Sequence, residues 1–253
     1  MTLKTIMLAL VAGLAIGLPG ANAAEVRVLS AGAIEPGLHP ALAAFERATG
    51  HHVTLVFATA PQIRERVAAG AVFDVVIAPP AVLDELEATQ KIAADRALRA
   101  SIGRVGLGVA VRPGAPRPDI ATPEAFERAL VEADSLVFNR ASTGLYVEAL
   151  LKRLGVDAQG KSTRYPDGAS VMAHVLRGQG REIGLGAITE ILLVRDQGLQ
   201  FVGPLPPELQ NYTAYAAAPA SGDAVEAARA LLRHLASAPV QAMFATAGID
   251  APR

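Results

Sequence analysis

Apolar residues come in two patterns along this chain. Val26–Leu29, Val53–Phe57 and Val72–Ala78 are short, nearly unbroken apolar runs. Between them, the stretch from Pro36 to Gly50 spaces Leu42, Phe45 and Ala48 along one face, with Ala43 beside them, and Pro61 to Gly70 does the same with Ile63 and Val67. Short runs bounded by turn residues predict buried strands, and apolar positions three or four apart predict helices with one face in a core. Pro61 suits the first turn of its helix, where no backbone N–H is needed. Val82–Ala88 predicts a further helix. A β-α-β-α-β order with strands apolar throughout predicts a parallel sheet covered on both faces. Such sheets bind ligands beyond the carboxyl ends of their strands.

The same style of unit returns after Val105–Val111 (VGLGVAV), a small-residue strand ended by Arg112-Pro113-Gly114. Helices are predicted at 123–131, 142–154, 170–177 and 190–197, and strands at 136–138 and 183–187. Gly203–Pro207 (GPLPP) is a turn-rich link to a strand at 212–218, followed by helices at 224–236 and 240–247. The strands at 105–111 and 212–218 bracket about a hundred residues, so the chain crosses twice between two blocks. The fold class predicted is α/β with two hinged lobes: 24–111 plus 206–253 form lobe 1, and 112–205 form lobe 2. A small ligand would be trapped in the cleft between them.

Residues 1–23 stand apart from this pattern. Lys4, the apolar run Ile6–Leu18 and Ala21-Asn22-Ala23 have the layout of a secretory signal peptide with its cleavage site. The expectation is a periplasmic protein. Cysteine is absent, which excludes disulfides, thiolate metal sites and a lipid-modified cysteine. Without Lys4, 22 basic residues face 24 acidic ones, and no basic patch suggests nucleic acid.

Asn139–Tyr146 (NRASTGLY) is the most suggestive single segment. The apolar Leu136–Phe138 stops there, Ser142 is a good helix N-cap, and helix formers run on to Gly155. A helix N-terminus offers free N–H groups and a positive dipole end, a ready place for an anion. The same turn read blandly is only a cap. The histidines, His39, His51, His52, His174 and His234, show no metal-ligand spacing, so no metal and no cofactor are predicted. Asp74, near the start of an apolar strand, reads as a structural hydrogen-bond partner. No G-x-S-x-G elbow or P-loop occurs, and GRVGLG at 103–108 misses the dinucleotide fingerprint. Nothing pairs a nucleophile with a base. The expectation is a binding protein and not an enzyme; an exported enzyme on the same scaffold would need a cluster of titratable groups in the cleft.

The order of segments resembles the type II periplasmic solute-binding fold, and in detail the molybdate-binding proteins of ABC importers. VRVLSAGAI at 26–34, FATAPQIRERVAAG at 57–70, FDVVI at 73–77, GLYVEALLKRLG at 144–155, IGLG at 183–186 and LASAPVQAMFATAG at 235–248 carry the resemblance, which covers nearly the whole chain after residue 23. It implies an anionic solute, an inner-membrane permease as partner and a monomer. The family grips its oxyanion with two serines, backbone N–H groups and a tyrosine. Those positions fall here at Ala33, Ala60, Thr143, Ala169 and Ala187, so three side-chain donors are replaced by alanine. Ser30, Gly32, Thr59, Gln62, Ser142, Ser170 and Thr189 lie in or beside the same loops. Alanines make the cleft larger and less polar, which points to a bigger ligand such as an organic carboxylate, with Arg140 either meeting that carboxylate or solvated in its loop. Import of the solute and sensing for a membrane receptor stay open as alternatives.

Overall fold

The first three predicted strands lie side by side and parallel, as their continuous apolar character requires. The computed structural model describes residues 23–157, 160–222 and 226–252, so the signal-peptide reading falls, except for Ala23, outside the described residues. Strand β1 (Glu25–Ala31) leads through a 3-10 turn (Gly32–Ile34) into helix α1 (Glu35–Thr49). Then come β2 (His52–Ala58), α2 (Ala60–Ala68), β3 (Val75–Ala78) and α3 (Pro80–Ala88). β1 pairs with β2 on one side and β3 on the other, both parallel. Asp74 accepts from the backbone N–H and guanidinium of Arg27 at 2.7–2.9 Å. That guanidinium holds the Asp74 carboxyl below the usual range, which is the structural role expected of it.

The long strand β4 (Ala100–Val111) changes partners midway. Residues 100–106 pair antiparallel with β9 (Tyr212–Pro219), and residues 107–110 pair antiparallel with β7 (Glu182–Ala187). At the switch, the Gln210 amide accepts from Leu107 N–H and donates to Leu107 C=O, both at 2.9 Å. One side chain thus braces the switch, beside the longer backbone bonds Leu107 makes with Asn211 and Leu205. Just before it, Gly103 has φ +144, and a Cβ there would lie 2.5 Å from the Asp250 carbonyl, so only glycine fits.

The second block holds α4 (Pro123–Glu132), β5 (Ser135–Asn139), α5 (Ser142–Arg153), β6 (Ser162–Tyr165) and α6 (Gly168–Arg177), then β7, α7 (Ile188–Leu193) and β8 (Gln200–Pro204). After β9, α8 (Glu226–Leu235) and α9 (Ala238–Thr246) return to the first block. The sheet order is β2-β1-β3-β9-β4-β7-β5-β6, with β8 on the other side of β4. Parallel β-α units in both blocks joined through antiparallel β4 and β9 make a mixed, two-lobe α/β architecture. Each lobe has its own core. Phe45, Ile63, Leu83 and Phe244 are fully buried in the first, and Phe126, Leu130 and Leu136 in the second. Each such side chain contributes about 1.5–3 kcal/mol of apolar burial.

Two strands escaped the apolar pattern. β6 (STRY) is half-buried and polar at the sheet edge, and β8 takes in the first two residues of the GPLPP link. Neither has an apolar run or a clean alternation, so their pairing is set by neighbours rather than by their own sequence. The last predicted helices start at Ala224, which lies outside the described residues.

Helix α7 ties the lobes together. Its N-cap, Ala187, belongs to the first core, and Ile191 to a further cluster with Val137, Val171 and Met172 of the second lobe. Between them, buried Thr189 donates its hydroxyl to the Ala33 carbonyl of the 3-10 turn.

Candidate functional site

A cavity of about 370 Å³ opens between the lobes. Its walls are the turns that follow β1, β2 and β3 in one lobe and β5 and β6 in the other, together with α7 and Tyr215 of β9. These are carboxyl ends of strands facing helix N-termini, where open α/β sheets place their ligands. The size lies in the range of small-molecule sites.

Of the positions singled out from sequence, Gly32, Ala33, Thr59, Ala60, Gln62, Ser142, Thr143 and Ala169 line this cavity. Four do not. Ser30 is fully buried, and its hydroxyl donates to Ala31 C=O. Arg140 is exposed outside the cavity, its backbone N–H bonded to Tyr165 C=O, because the turn directs it along the edge strand β6. Ser170 gives its N–H to the Asp167 cap and lies beyond the lining. Ala187 is buried behind the wall. The exposed cation at the cavity is instead Arg177, at the last turn of α6.

The loops show how each N-terminus is filled. Thr59 and Gln62 form a capping box on α2, with Gln62 Oε1 accepting from Thr59 N–H at 2.8 Å. Asp167 caps α6, accepting from Ser170 N–H at 2.8 Å. Helix α5 has no side-chain cap bond at its N-cap, Ala141, so Ser142 is its first helical residue and not its cap. Buried Asn139 steadies the turn from behind, its Oδ1 accepting from Ala141 N–H at 3.0 Å and Gly144 N–H at 2.9 Å. Ser142 and Thr143, in the uncapped first turn, front the cavity.

Part of the lining is acidic. Glu35, Asp167 and Glu190 all belong to it, and Tyr215 stands with them. Burial pushes the Glu190 carboxyl up to about 7, the Asp167 and Glu35 charges push the same way, and the Ala187 N–H opposes them. The side chain keeps some exposure to the cavity, but its Oε2 is enclosed and lacks a hydrogen-bond partner. It lies against Gly168, where a Cβ would occupy the place of the carboxyl. Burial, with the neighbouring Glu190 charge, also raises the Tyr215 hydroxyl above the usual phenol range. Among the described residues, no group of three or more His, Cys, Asp or Glu side chains is arranged to hold a metal ion.

The family described as bacterial extracellular solute-binding protein matches residues 26–250, almost the whole described chain. The chain belongs to that family. Solved structures of the same fold include the periplasmic molybdate-binding protein of Azotobacter vinelandii, with a TM-score of 0.74, 16% identity and coverage of 90% of this chain and 100% of that one. The sulfate-binding protein SubI of Mycobacterium tuberculosis has a TM-score of 0.73, 16% identity and coverage of 89% and 86%. The type II solute-binding fold implied by the segment order is therefore present.

A curated relative changes the functional expectation. Aconitate isomerase from a Pseudomonas species is 35% identical over 221 residues, 83% of this chain and 81% of the relative. A relative named for a reaction overturns the expectation that a chain of this kind is not an enzyme. The physical ground for that expectation also fails. It assumed a cleft of Ala, Ser, Thr and Gly, whereas folding brings Glu35, Asp167, Glu190 and Tyr215 to one wall. Those residues come from four separate elements, so no local motif announced them. The nearest sequence signal is Glu190 three residues after a small-residue strand end, a spacing that ordinarily reads as a capping partner.

Proposed function

We propose that this member of the solute-binding family is an exported, periplasmic protein that holds an unsaturated organic polycarboxylate in its inter-lobe cavity and isomerises it. Aconitate, a propene tricarboxylate, is the substrate that the 35% identical relative suggests. The observation that carries the reading is the donor set of the cavity. Ala33 and Ala60 stand on the wall where serine hydroxyls would grip a tetrahedral oxyanion, and Ala187 is withdrawn behind it. Each missing donor to a charged group would cost about 1.5–3 kcal/mol of oxyanion affinity. The space left is wider and more apolar, with the uncapped α5 turn at Ser142 and Thr143 and the Arg177 guanidinium as anchor points for separate carboxylates.

A second reading keeps the same ligand class but gives the protein a transport role, delivering the carboxylate to an inner-membrane ABC permease. The family assignment and the hinged cavity favour it. One experiment separates the readings. Purified protein is incubated with trans-aconitate and, separately, cis-aconitate, and the isomer ratio is followed by proton NMR. Calorimetry with both isomers, with saturated propane-1,2,3-tricarboxylate and with molybdate accompanies it. Interconversion supports the isomerase. Tight aconitate binding without interconversion leaves the transport role. Tight molybdate binding without response to any tricarboxylate overturns both.

A further inference from the structure

We infer that Glu190 is the catalytic base of the cavity, carrying one proton between the two ends of a three-carbon allylic substrate. The inference rests on the isomerase reading above and gives it a reacting residue. Glu190 lies on the cavity wall, in the first turn of α7, the helix that bridges the lobes. The Ala187 N–H holds the carboxyl from behind, and the Cα of Gly168 abuts it with no side chain between. Its enclosed Oε2 meets no hydrogen-bond donor, and among the described residues no arginine or lysine forms an ion pair with it. A carboxyl that only stabilised the fold would have such a partner, since a buried lone carboxylate is costly.

The charged and titratable groups around it are Asp167 at the α6 cap, Glu35 in the first turn of α1 and Tyr215 on β9, with Arg177 farther along α6 at the cavity. Burial, with the Asp167 and Glu35 charges, leaves the Glu190 carboxyl avid for a proton near neutral pH, which suits a general base. An anionic substrate entering beside it adds a further negative charge and strengthens the same tendency.

The step balances without any co-reactant. The Glu190 carboxylate takes a proton from the substrate methylene: its O–H bond forms, the C–H bond breaks, and the electron pair spreads over the three-carbon frame and its carboxylates. The carboxyl, whose hydrogen exchanges in part with water, then gives a proton to the far, formerly vinylic carbon. The double bond has moved by one position, Glu190 is again a carboxylate, and nothing has been oxidised or reduced. In a propene tricarboxylate, both ends carry a carboxylate, so the product is the same compound in either double-bond geometry. The helix N-terminus at Ser142 and Thr143 lines the same cavity and offers N–H groups to a carboxylate of the intermediate.

The test compares wild type, Glu190→Gln and Glu190→Asp with aconitate in deuterated water, reading isomer ratio and deuterium uptake by NMR. Calorimetry with saturated propane-1,2,3-tricarboxylate reports whether each cavity is intact. The expectation is a loss of about 10²–10⁴-fold in turnover and deuterium uptake for Glu190→Gln. Binding of the saturated compound stays within a few-fold of wild type, and Glu190→Asp recovers part of the rate. In the wild type alone, kcat/KM falls as pH drops below about 7, because the carboxylate form is the active one. Near-wild-type turnover and deuterium uptake in Glu190→Gln, or a wild-type profile flat from pH 5.5 to 8, overturns the assignment while the isomerase reading stands. A wild type that neither interconverts the isomers nor takes up deuterium overturns that reading, and this inference with it.

Discussion

The first turn of α5 and the first turn of α7 are both helix N-termini on one cavity, and they are filled in opposite ways. At α5 the end is left without a side-chain cap, with Asn139 bracing the turn from behind and Ser142 and Thr143 in front. At α7 the chain's own carboxyl, Glu190, stands in the first turn, where the Ala187 N–H favours its charged form and burial opposes it. The dipole is the same at each end, so the difference lies in the side chain three residues in. An open end attracts a ligand's charge. An end occupied by a poorly solvated carboxyl repels that charge but binds a proton. Together they let one cavity hold an anion and exchange a proton with it.

Gly168→Ala attacks the second wall most directly, because its Cβ would displace the Glu190 carboxyl. Turnover is expected to fall about a hundredfold, and the fold to lose about 1–3 kcal/mol through overpacking. Aconitate turnover and a denaturant titration check both, and an unchanged rate would mean that the position of Glu190 is unimportant.

The pH dependence of stability offers a test free of catalysis. Below about pH 4.5, Glu190 is protonated in folded and unfolded chains alike. Between 4.5 and about 7, the unfolded chain loses the proton while the folded one keeps it. Stability therefore drops as pH rises through this window, by about 3 kcal/mol at most, and stays lower above it. Glu190→Gln removes that loss, so the variant should gain on wild type between pH 4.5 and 8 in parallel urea titrations. Equal pH slopes would show that the carboxyl is not held in its protonated form.

On the first wall, Asn139→Ala should cost about 1–3 kcal/mol, since two N–H groups lose their acceptor. It should also weaken binding of the saturated tricarboxylate in calorimetry. Thr189→Val, which removes the hydroxyl between α7 and Ala33, should cost about 1 kcal/mol in the same titration. The smallest effect separates two arginines. Arg140→Ala should change neither stability by more than about 0.5 kcal/mol nor tricarboxylate affinity, whereas Arg177→Ala should weaken affinity several-fold.

Much of one wall was legible in the chain. Gly32, Ala33, Thr59, Ala60, Ser142 and Thr143 sit in turns between apolar strands and periodic helices, and such turns lie at the carboxyl edge of a parallel sheet. Arg140 was misleading because the turn from β5 to α5 is only two residues long, Arg140 and Ala141, and a tight turn sends adjacent side chains in different directions. Its backbone N–H bonds the edge strand and its side chain is exposed, while Ser142, two positions on, lines the cavity. β6 and β8 were missed because edge strands need no apolar run of their own.

By itself, then, the sequence determined the α/β units, the double crossing and the small-residue turns that line the cavity, because periodicity, turn chemistry and residue identity are local properties. Only the tertiary structure decided the chemistry of the cavity. Glu190 is an ordinary capping glutamate until Gly168, Asp167, Glu35 and Tyr215 close around it. The proton affinity of a carboxyl depends on the water and charge within a few ångströms, and here those neighbours come from four places distant in the chain.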